Sequence, residues 1–219
     1  MSDDARENAW NAAGRAAAAL VEPGMRVGLG TGRAAGAGIR ALGERVRDGL
    51  ACTGVPTSPA SAALAREVGV PLGRLRGPLD LAFDGADAVD PVGLVVKGAG
   101  GAMVRERIVA VAADRFVVLV DAPKLVDTLD AWGRLPIAVI PFAAERIAVH
   151  LADLDPMARE RRSDDGLVVM DLHPPAGMSW PEVAAHVRAL PGVVDHGLFR
   201  VPLGDVLVGR PDGGCAPAG

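Results

Sequence analysis

The chain has 219 residues, half of them apolar and 23% charged, with a formal net charge of −4 and only two cysteines. Such a chain folds into one large domain or a main domain with a satellite, and its charge argues against sequence-independent nucleic-acid binding, which needs a basic face. Its apolar runs are too broken for a membrane span, its acidic start (Met1-Ser-Asp-Asp) is no secretory leader, and two cysteines suit neither a disulfide framework nor a cysteine-built zinc site, so a reducing cytoplasm with one buried and one exposed thiol (Cys52, Cys215) is expected.

Ala5 to Val21 reads as an alanine-rich helix stopped by Pro23-Gly24. Met25 to Leu29 reads as a strand running into Gly30-Thr-Gly32, and a helix follows from Ala34 to Val46, the opening of a βαβ unit. Leu50 to Val55 is a second strand, and Pro59 to Val68 a helix with proline in its first turn. Leu79 to Phe83 and Leu94 to Val96 read as buried strands ending on Asp84 and Lys97, expected side by side and parallel. Ala102 to Ala113 is a helix with an expected apolar stripe of Val104, Ile108 and Val111, and Phe116 to Val120 is a central parallel strand.

This alternation argues for an α/β layer built on a parallel sheet. After Trp132 the texture changes to strands at Ile137–Ile140, Leu167–Leu172 and Val193–Phe199, beside helices at Ala143–Leu154 and Pro181–Leu190. The expected organisation is a catalytic domain of residues 1–128 plus 206–219, with a small α+β domain, 129–205, inserted before the strand Val206–Gly209. The tail Pro211 to Gly219 reads as frayed.

The chemistry is concentrated between Asp84 and Glu106. Gly28-Leu-Gly-Thr-Gly32 joins a strand to a helix N-terminus, where free amides attract anions; it reads either as a small phosphate site or as a tight turn without a ligand. The third glycine of a dinucleotide fingerprint and the lysine of a P-loop are missing, which disfavours a nucleotide. Asp84 and Asp87 alone read either as turn caps or as ligand-facing carboxylates at the carboxyl edge of a sheet, but Lys97, entering the glycine run Gly98-Ala-Gly-Gly101, adds a cation and a row of amides suited to an enediolate oxygen. Glu106 lies off the expected stripe, either as a solvated residue between Arg105 and Arg107 or as a general base if burial raises its pKa. Lys124 either holds a phosphate or is an ordinary surface lysine. The four histidines lack metal-ligand spacing, and Ser58, Ser61 and Ser163 lack a nucleophile elbow, so metal and hydrolase chemistry are not expected.

Taken in order, Val27-Gly-Leu-Gly-Thr-Gly32, Gly54-Val-Pro-Thr-Ser58, Asp84-Gly-Ala-Asp87, Lys97-Gly-Ala-Gly-Gly-Ala102, Arg105-Glu106, Val120-Asp-Ala-Pro-Lys124 and Leu135–Pro141 closely resemble the type A ribose-5-phosphate isomerase family. Pro191–Val194 and Gly197–Phe199 echo its later segment. The resemblance implies a Rossmann-like parallel sheet domain with an inserted, smaller ferredoxin-like α+β domain, in a homodimer or a dimer of dimers. It implies interconversion of ribose 5-phosphate and ribulose 5-phosphate through a cis-enediolate, without metal or organic cofactor. Carried over by position, Glu106 is the base, Asp84 handles ring opening and hydroxyl protons, Asp87 orients the sugar, and Lys97 stabilises the enediolate. Thr31, Gly32, Arg33, Ala34, Gly85, Ala86, Gly98, Ala99, Gly100 and Lys124 line the path of the substrate and its phosphate.

Two departures bear on the substrate. The family's phosphate loop usually reads Thr-Gly-Ser-Thr, whereas this chain has Thr31-Gly32-Arg33-Ala34, and Trp10-Asn11 stand where the family often has lysines. A guanidinium binds phosphate bidentately, so the swap is compatible with an anion site of new geometry. The alternatives are an isomerase of a modified or different sugar phosphate, or a non-catalytic sugar-phosphate-binding protein.

Overall fold

The computed structural model describes residues 2–219. Its regular elements, in chain order, are α1 (Asp3–Ala19), β1 (Arg26–Leu29), α2 (Arg33–Arg47), β2 (Thr53–Pro56), α3 (Pro59–Glu67), β3 (Leu79–Gly85), β4 (Ala88–Val89), β5 (Leu94–Val96), α4 (Met103–Ala112) and β6 (Ala113–Asp121). There follow β7 (Leu135–Val139), α5 (Ala144–His150), β8 (Met157–Ala158), β9 (Val168–Leu172), α6 (Trp180–Arg188), β10 (Val193–His196), β11 (Leu198–Arg200), β12 (Val206–Gly209) and β13 (Cys215–Pro217). None of the helices is long and apolar enough to cross a membrane. The chain divides into two compact units, one formed by the residues through Ala86 with Arg105–Leu125 and Val201–Gly219, the other by Asp87–Val104 and Val126–Arg200.

The first unit is built on a six-stranded sheet of order β13-β12-β6-β3-β1-β2, parallel except where β13 runs antiparallel to β12. Val117 to Val120 on β6 are at most 1% exposed, which is why this strand reads as an unbroken apolar run. Ala9, Ala13 and Ala17 form a fully buried face of α1, and the helix lies so close against α2 that a Cβ on Gly14 would strike the backbone at Ala37 and Gly38. Leu29, Ile39, Leu42, Phe83 and Leu119 complete the core. The helix starts follow local chemistry: Ser58 Oγ accepts from the Ser61 amide at 3.1 Å, with Pro59 in the first turn of α3.

The second unit holds a four-stranded antiparallel sheet, β10-β7-β9-β8, and a three-stranded antiparallel sheet, β11-β5-β4. Ile137, Val139, Ile147, Met170, Leu172, Trp180 and Val187 form its core between the larger sheet and helices α5 and α6. This is the α+β unit expected beside the parallel sheet.

Several expectations change. The segment 87–104 groups with the second unit, whereas the sequence boundaries assigned it to the first. Strand β5 does not run parallel to β3; it turns back on β4 as a hairpin. The turn is made by Asp90, whose Oδ1 accepts from the amides of Val92 (3.0 Å) and Leu94 (2.8 Å). The expected strand Val193–Phe199 breaks at Gly197 into β10 and β11, which join different sheets. The tail is not wholly frayed, because Cys215–Pro217 add an edge strand to β12. Cys215 is therefore partly buried and packs on the main core, not an exposed thiol, while Cys52 is buried as expected.

Candidate active site

Parallel register brings the functional loops of the first unit to one edge of its sheet. Leu29 pairs with Phe83, and Gly85 with Leu119, so the turn Gly30–Gly32, Asp84 and the Asp121–Lys124 loop all leave the carboxyl ends of neighbouring strands. That edge is where ligands of open parallel sheets bind. Asp84 is only 2% exposed, yet its Oδ1 accepts from the Thr31 amide at 3.0 Å and from the Gly85 amide at 2.7 Å. The β1 loop passes so close that a Cβ on Gly30 would strike the Asp84 carboxylate, which fixes glycine at that position.

Beneath the loop lies a hydroxyl cluster that sequence reasoning did not single out. Thr31 Oγ1 lies 2.8 Å from both Thr57 Oγ1 and Ser58 Oγ, and 3.2 Å from Ser61 Oγ, which in turn donates to the Gly30 carbonyl at 2.5 Å. Thr57 also donates to the Leu29 carbonyl at 3.0 Å. Ser58 and Ser61 thus hold the turn in shape, a role with no nucleophile signature to find.

Glu106 sits in the first turn of α4 and is 5% exposed. The expected stripe of this helix is on the wrong side: Ile108 is 53% and Val111 78% exposed, while Met103, Glu106 and Val109 occupy the buried face. Three-residue spacing puts these side chains in one row, and Val109 packs with Val55, Leu79 and Ala82. Glu106 is therefore an inward-facing carboxylate and not a solvated residue between two arginines.

At the N-terminus of α2 the cap is Gly32, with no side-chain cap, so the first-turn amides are left to other acceptors. Arg33, the first helical residue, is exposed, and its guanidinium carbon lies 4.5 Å from the Trp10 ring centroid. Arg6 also approaches Trp10, at 5.4 Å, and is anchored to the fully buried Asp121 by an ion pair of 3.1 Å. The two departures at Trp10 and Arg33 are therefore a single stacked feature. Ala34 is buried beside them, and Lys124 lies half-buried at the end of the short helical turn after β6.

In the second unit the β4–β5 hairpin sets Asp87 beside Lys97. Ala88 pairs with Val96, and the Asp87 amide donates to the Val96 carbonyl at 2.8 Å, so the two charged residues flank the open end of the hairpin. The expected parallel pairing of the strands ending on Asp84 and Lys97 does not occur; antiparallel register instead places Asp87 opposite Lys97. Lys97 is 3% exposed, and its Nζ lies 5.9 Å from the Phe199 ring centroid. The glycine run that follows bends through Gly98 at φ 111° and Gly101 at φ 78°, conformations that favour glycine. The Gly101 amide donates to the Gly98 carbonyl at 3.0 Å, and the Ala99 amide to Asp87 Oδ2 at 2.9 Å.

Arg159, missed from the sequence, completes this loop. It donates from Nη1 to the carbonyls of Gly98 (2.7 Å) and Ala99 (3.0 Å), and its Nε and Nη2 grip both oxygens of Asp171 at 2.8 and 2.6 Å. Chemically, the first unit offers a buried carboxylate, Glu106, and a second carboxylate, Asp84, fixed beside the turn that leads to an anion-seeking helix end. The second offers a buried ammonium and a rigid amide loop.

Comparison with known proteins agrees with these motifs. The family model described as ribose 5-phosphate isomerase A (phosphoriboisomerase A) matches residues 53–213. Ribose-5-phosphate isomerase A of Thermomicrobium roseum is 44% identical over 221 residues, covering 94% of this chain and 92% of that one. Among solved structures, ribose 5-phosphate isomerase A of Methanocaldococcus jannaschii superposes with a TM-score of 0.88 at 34% identity, over 96% of this chain and 99% of that one. A D-ribose-5-phosphate isomerase in complex with phospho-erythronic acid gives 0.87 at 32% identity, over 98% of each chain. The chain belongs to the ribose 5-phosphate isomerase A family.

Proposed function

We propose that this chain interconverts ribose 5-phosphate and ribulose 5-phosphate by proton transfer through a cis-enediolate. The observation that carries the reading is Glu106, a carboxylate turned to the buried face of its helix in a chain whose relatives bear that activity in their names. Glu106 takes the proton from C2 of the open-chain aldose, the C–H electron pair becomes the C1–C2 double bond, and the C1 carbonyl oxygen becomes the enediolate oxygen. The Lys97 ammonium and the loop amides stabilise that charge where it develops. A hydroxyl proton passes from the C2 oxygen to the C1 oxygen with the help of Asp84, and Glu106 returns its proton to C1, giving the ketose. Asp87 orients the sugar hydroxyls. Gly85 and Ala86 lie along the bound sugar.

The phosphate is held by the free amides of the first turn of α2, by Thr31 and Lys124, and by the Arg33 guanidinium. Arg33 makes no ion pair or hydrogen bond among the described residues, so its donors are available to an oxyanion while Trp10 fixes its plane. A guanidinium in place of two hydroxyls keeps an anion site, and the relatives' shared name favours ribose 5-phosphate over a modified sugar phosphate. Phospho-erythronic acid, whose planar carboxylate carries charge where the enediolate would, is the expected inhibitor.

The chain works as a homo-oligomer, a dimer or dimer of dimers, joined through the second unit, where Phe142 is 97%, Val149 70% and Val194 41% exposed. A reducing cytoplasm suits its two free thiols. The test is direct conversion, followed by NMR, of ribose 5-phosphate beside other aldose phosphates. Ribulose 5-phosphate should form fastest, and binding without turnover of any member would defeat the proposal.

A further inference from the structure

We infer that Arg159, clamped by Asp171, is a positioning residue that aims the Gly100 amide at the enediolate oxygen; the inference rests on the isomerase reading above. A trans peptide is planar, so the carbonyl of one residue and the N–H of the next point in opposite directions. Arg159 draws the Gly98 carbonyl to itself at 2.7 Å, and the Ala99 amide accordingly points the other way, where it meets Asp87 Oδ2 at 2.9 Å. The same guanidinium draws the Ala99 carbonyl at 3.0 Å, which turns the Gly100 amide away from Arg159. No group among the described residues accepts from that amide, so it is a loop donor left for a ligand, and one that Arg159 orients.

The clamp is stiff because of its geometry. Two parallel hydrogen bonds to Asp171, 2.8 and 2.6 Å long, fix the guanidinium plane, and Asp171 is itself 9% exposed on β9. Arg159 begins beyond β8, where its amide donates to the Val169 carbonyl at 2.8 Å, so both partners stand on one antiparallel sheet. Lysine has a single ammonium and cannot bridge Asp171 and two carbonyls in one plane. A rigid scaffold for amides that act only when charge develops is what electrostatic catalysis requires.

The experiment compares wild type with Arg159→Lys, Arg159→Met and Asp171→Asn. The readouts are kcat, KM for ribose 5-phosphate, the Kd of phospho-erythronic acid, and the thermal midpoint. Misaiming one oxyanion donor should lower kcat by about 10²-fold, with KM little changed and the affinity for phospho-erythronic acid falling by a similar factor. Asp171→Asn, which keeps Arg159 but loosens its plane, should fall between wild type and Arg159→Met on both scales. A variant that folds with unchanged kcat, or one that loses kcat while binding the analogue as tightly as wild type, overturns the inference. A wild-type enzyme that does not turn over ribose 5-phosphate defeats the isomerase reading instead, a result separate from these ratios.

Discussion

Replacing Trp10 should weaken the grip on the phosphate without touching any atom of the substrate. Its ring centroid lies 4.5 Å from the Arg33 guanidinium carbon, inside the range in which a cation is drawn to an aromatic face. Arg33 is exposed, so the stack belongs at the lower end of the scale, about 0.5–1 kcal/mol, which corresponds to a roughly two- to fivefold loss in kcat/KM. Removing Arg33 itself deletes charge-assisted hydrogen bonds worth about 1.5–3 kcal/mol, a loss of roughly ten- to 150-fold. Trp10 also packs against the main core, so Trp10→Leu, which keeps apolar bulk, is the better variant. A double-mutant cycle of Trp10→Leu and Arg33→Ala, read as kcat/KM on ribose 5-phosphate, isolates the coupling. If Trp10 acts through Arg33, its effect disappears in the Arg33→Ala background. Equal effects in both backgrounds would mean that Trp10 does not act through Arg33, and an Arg33→Ala enzyme with unchanged kcat/KM would mean that Arg33 does not hold the phosphate.

Other outcomes follow from the same geometry. Gly30→Ala drives a methyl into the Asp84 carboxylate and should cost about 1–3 kcal/mol by chemical denaturation, along with most of the activity; a stable, active variant would show that the loop yields. In the second unit, the hydrogen bond from the Gly177 amide, then that from Trp180, holds the Asp130 carboxyl below its ordinary 3.8. A lowered folded-state pKa stabilises the fold above about pH 4 and loses that contribution as pH falls through the lower value, so the stability gap between wild type and Asp130→Asn should close in acid. Unfolding midpoints at neutral and acidic pH check the sign. If the proposed oligomer joins through the second unit, Phe142→Glu should lower the mass seen in light scattering, and an unchanged mass would remove this apolar face from the interface.

The sequence made the parallel layer legible because strands and helices alternate over much of Met25 to Val120, with Gly30, Asp84 and Asp121 closing three of the strands. Asp84 and Lys97 were visible for the same reason: polar residues at the ends of buried strands have few structural excuses. The direction of β5 was not visible, since three apolar residues carry no information about parallel or antiparallel partners, and the hairpin depends on the Asp90 turn. Helix α4 misled because it carries apolar residues on both faces. Val104, Ile108 and Val111 formed an equally regular stripe, and only packing with Val55 and Leu79 selects the face of Val109 and Glu106. Arg159 was hidden in the run Arg159-Glu-Arg-Arg162, where its neighbours are ordinary surface charges. Its role arises from the pairing of β8 with β9, a contact that local sequence does not announce. The Trp10–Arg33 stack was half visible, as two separate departures whose meeting only the packing of α1 on α2 reveals.

In the proposed reaction Glu106 carries a proton between two carbons of the sugar phosphate. Its most direct measurement is exchange of the C2 hydrogen of ribose 5-phosphate with deuterated solvent, followed by NMR in wild type and in Glu106→Gln. Wild type should label the substrate pool during turnover, and the Gln variant should lose exchange and turnover together by at least about 10²-fold, the contribution expected of a general base. Exchange at the wild-type rate in Glu106→Gln would contradict it.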